Sequence, residues 1–128
     1  MIVDSNLIIL ASKHEHVAIR DWFMATPLTA SAISRVEAMG YREMTERERL
    51  ILTGIFARLH VIAITDPILD EAIRLKQTKK MSLGDSIVAG TAILRGGELA
   101  TRNLKDFRNI TGLIAGDPTR PADPSGTL

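Results

Sequence analysis

Four acidic residues of the 128-residue chain, Asp4, Glu37, Asp85 and Asp106, stand where apolar runs give way to polar or helical segments. Packed carboxylates repel one another and lose solvation, so a cluster of them is costly unless a cation compensates it. Hard cations such as Mg2+ and Mn2+ prefer oxygen donors, and they bind through a few carboxylates together with water and phosphate. An ion held in that way can generate hydroxide and stabilise charge on a phosphodiester. The chain has no cysteine, so thiolate ligands, thiolate nucleophiles and disulfides are all excluded. His14, His16 and His60 lie away from the acidic positions. The chemistry on offer therefore rests on carboxylates and metal, with Asp4 and Asp85 as candidate ligands.

Those residues have to be positioned by a fold. Residues 1–3 are apolar and suit a short buried strand, with Asp4, Ser5 and Asn6 available to cap the helix that follows. A second helix is expected over 16–24 and a brief strand over 27–30. The next helix, capped by Ser31 or Ser34, carries Ile33, Val36 and Glu37 and weakens near Gly40. Thr45 and Glu48 form a capping-box pattern that opens a helix through Leu59. Residues 61–64 read as a β-branched strand, and Asp66-Pro67 as a helix start with proline at its first position. Ser82 and Asp85 repeat the box pattern before a helix apolar on most faces, which Gly96-Gly97 ends. A strand over 98–101, a polar loop over 102–106 and a last short strand over 113–115 complete the series.

Short strands alternating with helices imply an α/β fold: one domain over 1–116, with a short, mostly parallel central sheet flanked by helices. In such sheets sites form beyond the carboxyl ends of the strands, where strand order reverses. Asp4, Asp85, Asn103 and Asp106 then map to one rim, with Glu37 on the helix after the second strand. Each residue also has a purely structural reading. Asp4 and Asp85 suit helix starts, Glu37 a solvated helix face made partly buried by Ile33 and Val36, and Asp106 or Asn103 a turn. Convergence on one edge is what favours the site. Arg102 and Lys105 flank it and suit phosphate. From Lys79 to Ile110 six basic residues face three acidic ones, although the whole chain is only +1. From Gly116 onward prolines and glycine leave little to pack, so 117–128 is expected as a flexible tail. No segment has the ~18 apolar residues of a membrane span, nor a secretory leader pattern.

The segments Met1-Ile2-Val3-Asp4-Ser5-Asn6, Ser34-Arg35-Val36-Glu37, Leu83-Gly84-Asp85-Ser86-Ile87-Val88-Ala89 and Ala100-Thr101-Arg102-Asn103-Leu104-Lys105-Asp106-Phe107 resemble, in order and spacing, the PIN-domain ribonucleases. They most resemble the VapC-type toxins of bacterial type II toxin–antitoxin pairs. The resemblance implies a metal-dependent endoribonuclease with Asp4, Glu37 and Asp85 as its core acidic residues and Mg2+ or Mn2+ as cofactor. Thr101, Ser5 and Asn6 would be polar rim residues. Many members carry Asp where this chain has Asn103, so the fourth acidic role passes to Asp106 or is weakened. Transfer RNA and messenger RNA both suit as substrate. A cognate antitoxin, a homodimer and a cytoplasmic location are implied too.

Two other classes compete. A PIN-like module that binds RNA or protein without cutting would share every one of these residues. A phosphoacceptor receiver domain would need a phosphoacceptor Asp after a middle strand and a Lys after a late one. Here Asp66 precedes a proline as a cap would, and Arg102 stands where the Lys should be.

Overall fold

Ile2 and Val3 are the whole of the first strand, and the fold is built around them. In the computed structural model, which describes residues 1–120, β1 (Ile2–Val3) is buried on both sides, with Ile2 1% and Val3 0% exposed. It is followed by α1 (Ser5–Ala11), α2 (Val17–Ala25), β2 (Thr29–Ser31), α3 (Ala32–Met39), α4 (Glu46–Arg58) and β3 (His60–Ile62). Then come α5 (Asp66–Thr78), α6 (Leu83–Leu94), β4 (Glu98–Ala100), α7 (Leu104–Phe107) and β5 (Ile114–Gly116). The five strands form one sheet in the order β3-β2-β1-β4-β5, and every pairing is parallel. Ile2 registers with Thr29 on one side and Leu99 on the other, and Val3 with Ala100.

Side chains alternate along a strand, so each central strand feeds two cores. Ile2 and Leu99 point into one, with Ile68 and Leu75 of α5, Val88 of α6 and Phe107 of α7. Val3, Ala30 and Ala100 point into the other, with Leu7 and Ile8 of α1, Phe23 of α2 and Leu52 of α4. Helix α6 is buried from Ser86 through Ala92, as its near-uniform apolarity requires. It lies so close to α5 that a Cβ on Gly90 would meet the Ile68 carbonyl oxygen at 3.2 Å. Helix starts follow the local chemistry. Thr45 and Glu48 complete the reciprocal box, Ser31 accepts from the Ile33 amide, Ser82 accepts from the Asp85 amide, and Pro67 sits in the first turn of α5.

Several boundaries differ from those expected. The third strand is 60–62 rather than 61–64, and the last is 114–116 rather than 113–115. The loop expected over 102–106 contains a helical turn, α7, which buries Phe107. These are short or edge elements, where tertiary pairing and not local pattern sets the limits. The apolar face assigned to α3 is also corrected. Ile33 packs partly buried against the core as expected, and the fully buried residues are Ser34 and Ala38, but Val36 is 67% exposed and Glu37 is exposed. Of the segment expected as a tail, 117–120 form a turn held by the buried Asp117, whose carboxylate accepts from the Thr119 amide and hydroxyl. Residues 121–128 lie outside the described residues. Among the described residues no helix is long and apolar enough to cross a membrane.

Candidate active site

After β1 the chain turns toward β2 and β3, and later it returns on the other side of β1 to form β4 and β5. The reversal of strand order therefore falls between β1 and β4, and at their carboxyl ends stand Asp4 and Thr101. In a doubly wound sheet this is the crevice where ligands bind. Asp4 occupies the N-cap position of α1 but makes no side-chain cap. Its Oδ2 instead accepts a hydrogen bond from Thr101 Oγ1 at 2.8 Å, across 97 residues of sequence. Both residues are buried. The same Thr101 hydroxyl accepts from the Asn103 amide at 2.9 Å, which fixes the start of the loop after β4.

The neighbouring carboxylates come from three helices. Glu37, from α3, is exposed but tethered: Ser5 Oγ lies 2.7 Å from its Oε1 and 2.9 Å from Ser34 Oγ, and both serines are buried. Its carboxylate lies over Gly84 of α6, where an added Cβ would collide with it. Asp85 follows Gly84 and lies in the first turn of α6. Unlike Glu48 in α4, it does not complete a capping box with the backbone of its capping residue, though the Ser82 side chain acts to lower its pKa against the effect of burial. Asp106, exposed on α7, accepts from the side-chain amide of Asn103.

Electrostatics ties these groups together. Burial, with the charges of Asp85 and Glu37 acting in the same direction, pushes the Asp4 carboxyl from its ordinary 3.8 to about 6, against the lowering effect of the Thr101 hydrogen bond. Burial also raises Asp85, helped by the charges of Asp106 and Glu37. Among the described residues the ion pairs involve Glu46, Glu48, Glu71 and Asp117, and none reaches Asp4, Glu37, Asp85 or Asp106.

Of the residues singled out in the sequence, the fold thus brings together Asp4, Ser5, Glu37, Asp85, Thr101, Asn103 and Asp106. It does not bring in the others. Asn6 is exposed on α1, Lys105 is exposed on α7, and Arg102 lines a separate pocket against α2. Sequence reasoning missed the support behind the site. Ser34 and Gly84 were noticed only as members of longer motifs, and nothing local shows that one backs Ser5 and the other seats Glu37. The donor set is all oxygen and suits a hard cation. As the side chains stand, no three acidic or histidine side chains among the described residues are grouped to enclose an ion.

The PIN domain profile matches residues 1–113. The chain belongs to the PIN domain family. This PIN domain is similar in structure to a toxin–antitoxin complex from Klebsiella pneumoniae, at 28% identity and a TM-score of 0.71 over 88% of this chain and 94% of that one. It is similar as well to DNA-bound VapBC from Salmonella typhimurium, at 24% identity and a TM-score of 0.77 over 91% and 96%. A third likeness is to VapBC2 from Rickettsia felis bound to a promoter DNA fragment, at 18% identity and a TM-score of 0.75 over 91% and 96%. The last two show the fold alone. No curated protein matches the PIN domain significantly in sequence.

Proposed function

We propose that this PIN domain is a metal-dependent endoribonuclease and the toxin of a toxin–antitoxin pair. The observation that carries the reading is the group of carboxylates at the strand-order reversal: burial, reinforced by neighbouring carboxylates, raises Asp4 and Asp85, and no ion pair among the described residues reaches the group. PIN domains are generally nucleases, and the Klebsiella pneumoniae neighbour is described as a toxin–antitoxin complex.

In this reading Asp4 and Asp85 would hold Mg2+ or Mn2+, with Glu37 and Asp106 completing the acidic rim. Such an ion would acidify an attacking water and neutralise charge on the scissile phosphate. A hard cation of this kind keeps most of its waters and takes only one or two protein carboxylates. Thr101 orients Asp4 and favours its charged form. Ser5, backed by Ser34, holds Glu37 over Gly84. Asn103 steadies Asp106. Arg102 and Lys105, exposed outside the carboxylate group on the segment that follows Thr101, would contact phosphates of the RNA, structured or messenger.

An antitoxin suits the same electrostatics. An arginine side chain can pair bidentately with the carboxylates and compete with metal. Helices α1, α2 and α4 share one core and expose Val17, Met24 and Leu50 to a partner helix. A homodimer would use apolar surface such as Leu69 and Ile73, exposed one turn apart on α5.

The test is RNA cleavage by the purified chain in EDTA and after adding Mg2+ or Mn2+, beside Asp4→Ala. Cleavage that needs the metal and Asp4 supports the reading, and undiminished cleavage in chelator ends it. Expression alone in a bacterial host should arrest growth, with relief by Asp4→Ala or by the adjacent small open reading frame. RNA binding without cleavage in any metal would leave a binding module.

A further inference from the structure

Beside the acidic edge lies a pocket of about 360 Å³ that the proposed chemistry does not use. It is lined by His16, Ile19 and Trp22 from α2 and its N-cap, by Arg102 after β4, and by Pro118 and Thr119 after β5, so that an aromatic ring and a guanidinium share one pocket. We propose that this pocket is a nucleobase subsite: an unpaired base next to the phosphate at Asp4 stacks on Trp22 while Arg102 holds the flanking phosphate. The inference rests on the nuclease reading and deepens it by naming the residues that would hold the base next to the scissile phosphate.

Each part of the lining is held by the fold. Arg102 directly follows Thr101, so about 3.8 Å of backbone separates it from the residue that orients Asp4. Thr101 also accepts from the Asn103 amide, which pins the loop on the far side of Arg102. Among the described residues the Arg102 guanidinium is in no ion pair. The Trp22 ring meets Phe23 edge-on at 5.3 Å, and the start of α2 is tied to α1 by Arg20, which donates to the carbonyls of Ala11 and Lys13. The segment after β5 is fixed by Asp117, which binds Thr119 twice.

Size and charge choose the occupant. Ligand pockets run upward from ~300 Å³, so this one takes a small planar group and not a helix, whose diameter is ~10–12 Å with side chains. An apolar peptide side chain would use Trp22 and leave the Arg102 charge unanswered. A nucleotide answers both groups, since a base presents a π-face and its phosphodiester a negative charge. Stacking tolerates any base, so the subsite selects for an unpaired nucleotide and not for a sequence. A base in a duplex has no free face to offer.

Trp22 is the only tryptophan in the chain, so its fluorescence reports on this pocket directly. In EDTA, a short unpaired oligoribonucleotide should quench it saturably, whereas an abasic oligonucleotide of equal length and a blunt RNA duplex should not. Trp22→Leu should weaken oligonucleotide binding about thirtyfold, the middle of the range for one base–aromatic stack. It should raise KM by a similar factor with kcat unchanged, and Trp22→Phe should restore both. If Trp22→Leu does not fold, Arg102→Gln, read by the same quenching, should weaken binding and lower the salt dependence by about one phosphate contact. Equal quenching by the abasic strand overturns the subsite, as does unchanged oligonucleotide binding in Trp22→Leu. So does an RNA-insensitive Trp22 whose emission responds instead to an antitoxin or to deletion of residues 121–128. Because quenching is read without turnover, cleavage without quenching removes the subsite alone, and quenching without cleavage in any metal removes the nuclease reading alone.

Discussion

Two carboxylates near helix starts, Glu48 of α4 and Asp4 at the head of α1, are treated in opposite ways by this fold. Glu48 returns a hydrogen bond to the Thr45 amide and pairs with Lys13 Nζ at 2.7 Å. The Lys13 hydrogen bond, with help from Thr45, holds its carboxyl down at about 2. Asp4 caps nothing, is buried, faces other carboxylates and is pushed up to about 6. The first carboxylate has its cation built in and its bonds complete, so it serves the helix. The second is left with a demand for positive charge that the described residues do not meet. Functional sites are where a fold keeps such an imbalance.

The strongest way to break this comparison is to neutralise Asp4 or Asp85. Asp4→Asn keeps the acceptor for Thr101 and removes the charge. RNA cleavage should fall by more than ~100-fold, since even partners standing behind a metal ligand cost about 10- to 100-fold. The fold should stay as stable or gain stability, because repulsion is relieved, and thermal melting in chelator checks this. A variant that melts like the parent and cuts at the parent rate would return that residue to a structural role.

Next in size is the response of the parent chain to pH in chelator. The folded pKa of Asp4 lies above its unfolded value, so the folded state binds more protons between about 4 and 6. Stability should therefore be greatest below that window and fall as pH rises through it, by about 3 kcal/mol at full effect. Denaturant unfolding at a series of pH values reads this directly. In Asp4→Asn most of the fall should vanish, and Mg2+ or Mn2+ at neutral pH should recover much of it in the parent.

How far the sequence alone reached follows from the same contrast. The Thr45 box was legible because both partners lie three residues apart, and the parallel sheet was legible from strand–helix alternation. The place of Asp4 at the carboxyl end of a buried strand was legible too, since residues 1–3 are all apolar. The phase of α3 was not. It is an eight-residue helix of mixed polarity, in which Ile33 does pack partly buried on the core whereas Val36 faces outward. The Ser5–Ser34–Glu37 tether and the seat at Gly84 join α1, α3 and α6, so no local spacing encodes them. The pocket beside Arg102 needs 16–22, 102 and 118–119 together, and Trp22, half-buried against the core, looks in sequence like any other apolar helix residue.

A smaller effect is expected from Thr101→Val, which keeps the shape of a buried residue and removes its hydroxyl. Asp4 loses a donor and the Asn103 amide loses an acceptor, so about 1–3 kcal/mol of stability should go. The lost bond had favoured the charged form of Asp4, so its pKa should rise further. The acid limb of the cleavage profile should then move to higher pH, whereas Thr101→Ser should keep the parent profile. An unmoved limb with reduced stability would limit Thr101 to packing.

The smallest effect should come from the other side of the comparison. Glu48→Gln retains a side-chain oxygen for the Thr45 amide and loses only the charge facing Lys13, which still has the Tyr41 ring 4.8 Å away. Exposed pairs contribute little and are screened by salt. Cleavage should be unchanged, and the melting temperature should drop slightly at low salt and match the parent at about 1 M, where the Debye length is only ~3 Å. The pH response should also be opposite in sign to that of Asp4. The folded pKa of Glu48 is depressed, so its contribution is present near neutrality and is lost as pH falls from about 4.5 toward 2. Asp4, buried from counterions, should keep its pH response at high salt. If salt erased both responses equally, the two carboxylates would differ only in exposed charge pairing, and the distinction between a satisfied cap and an unmet demand for a cation would not hold.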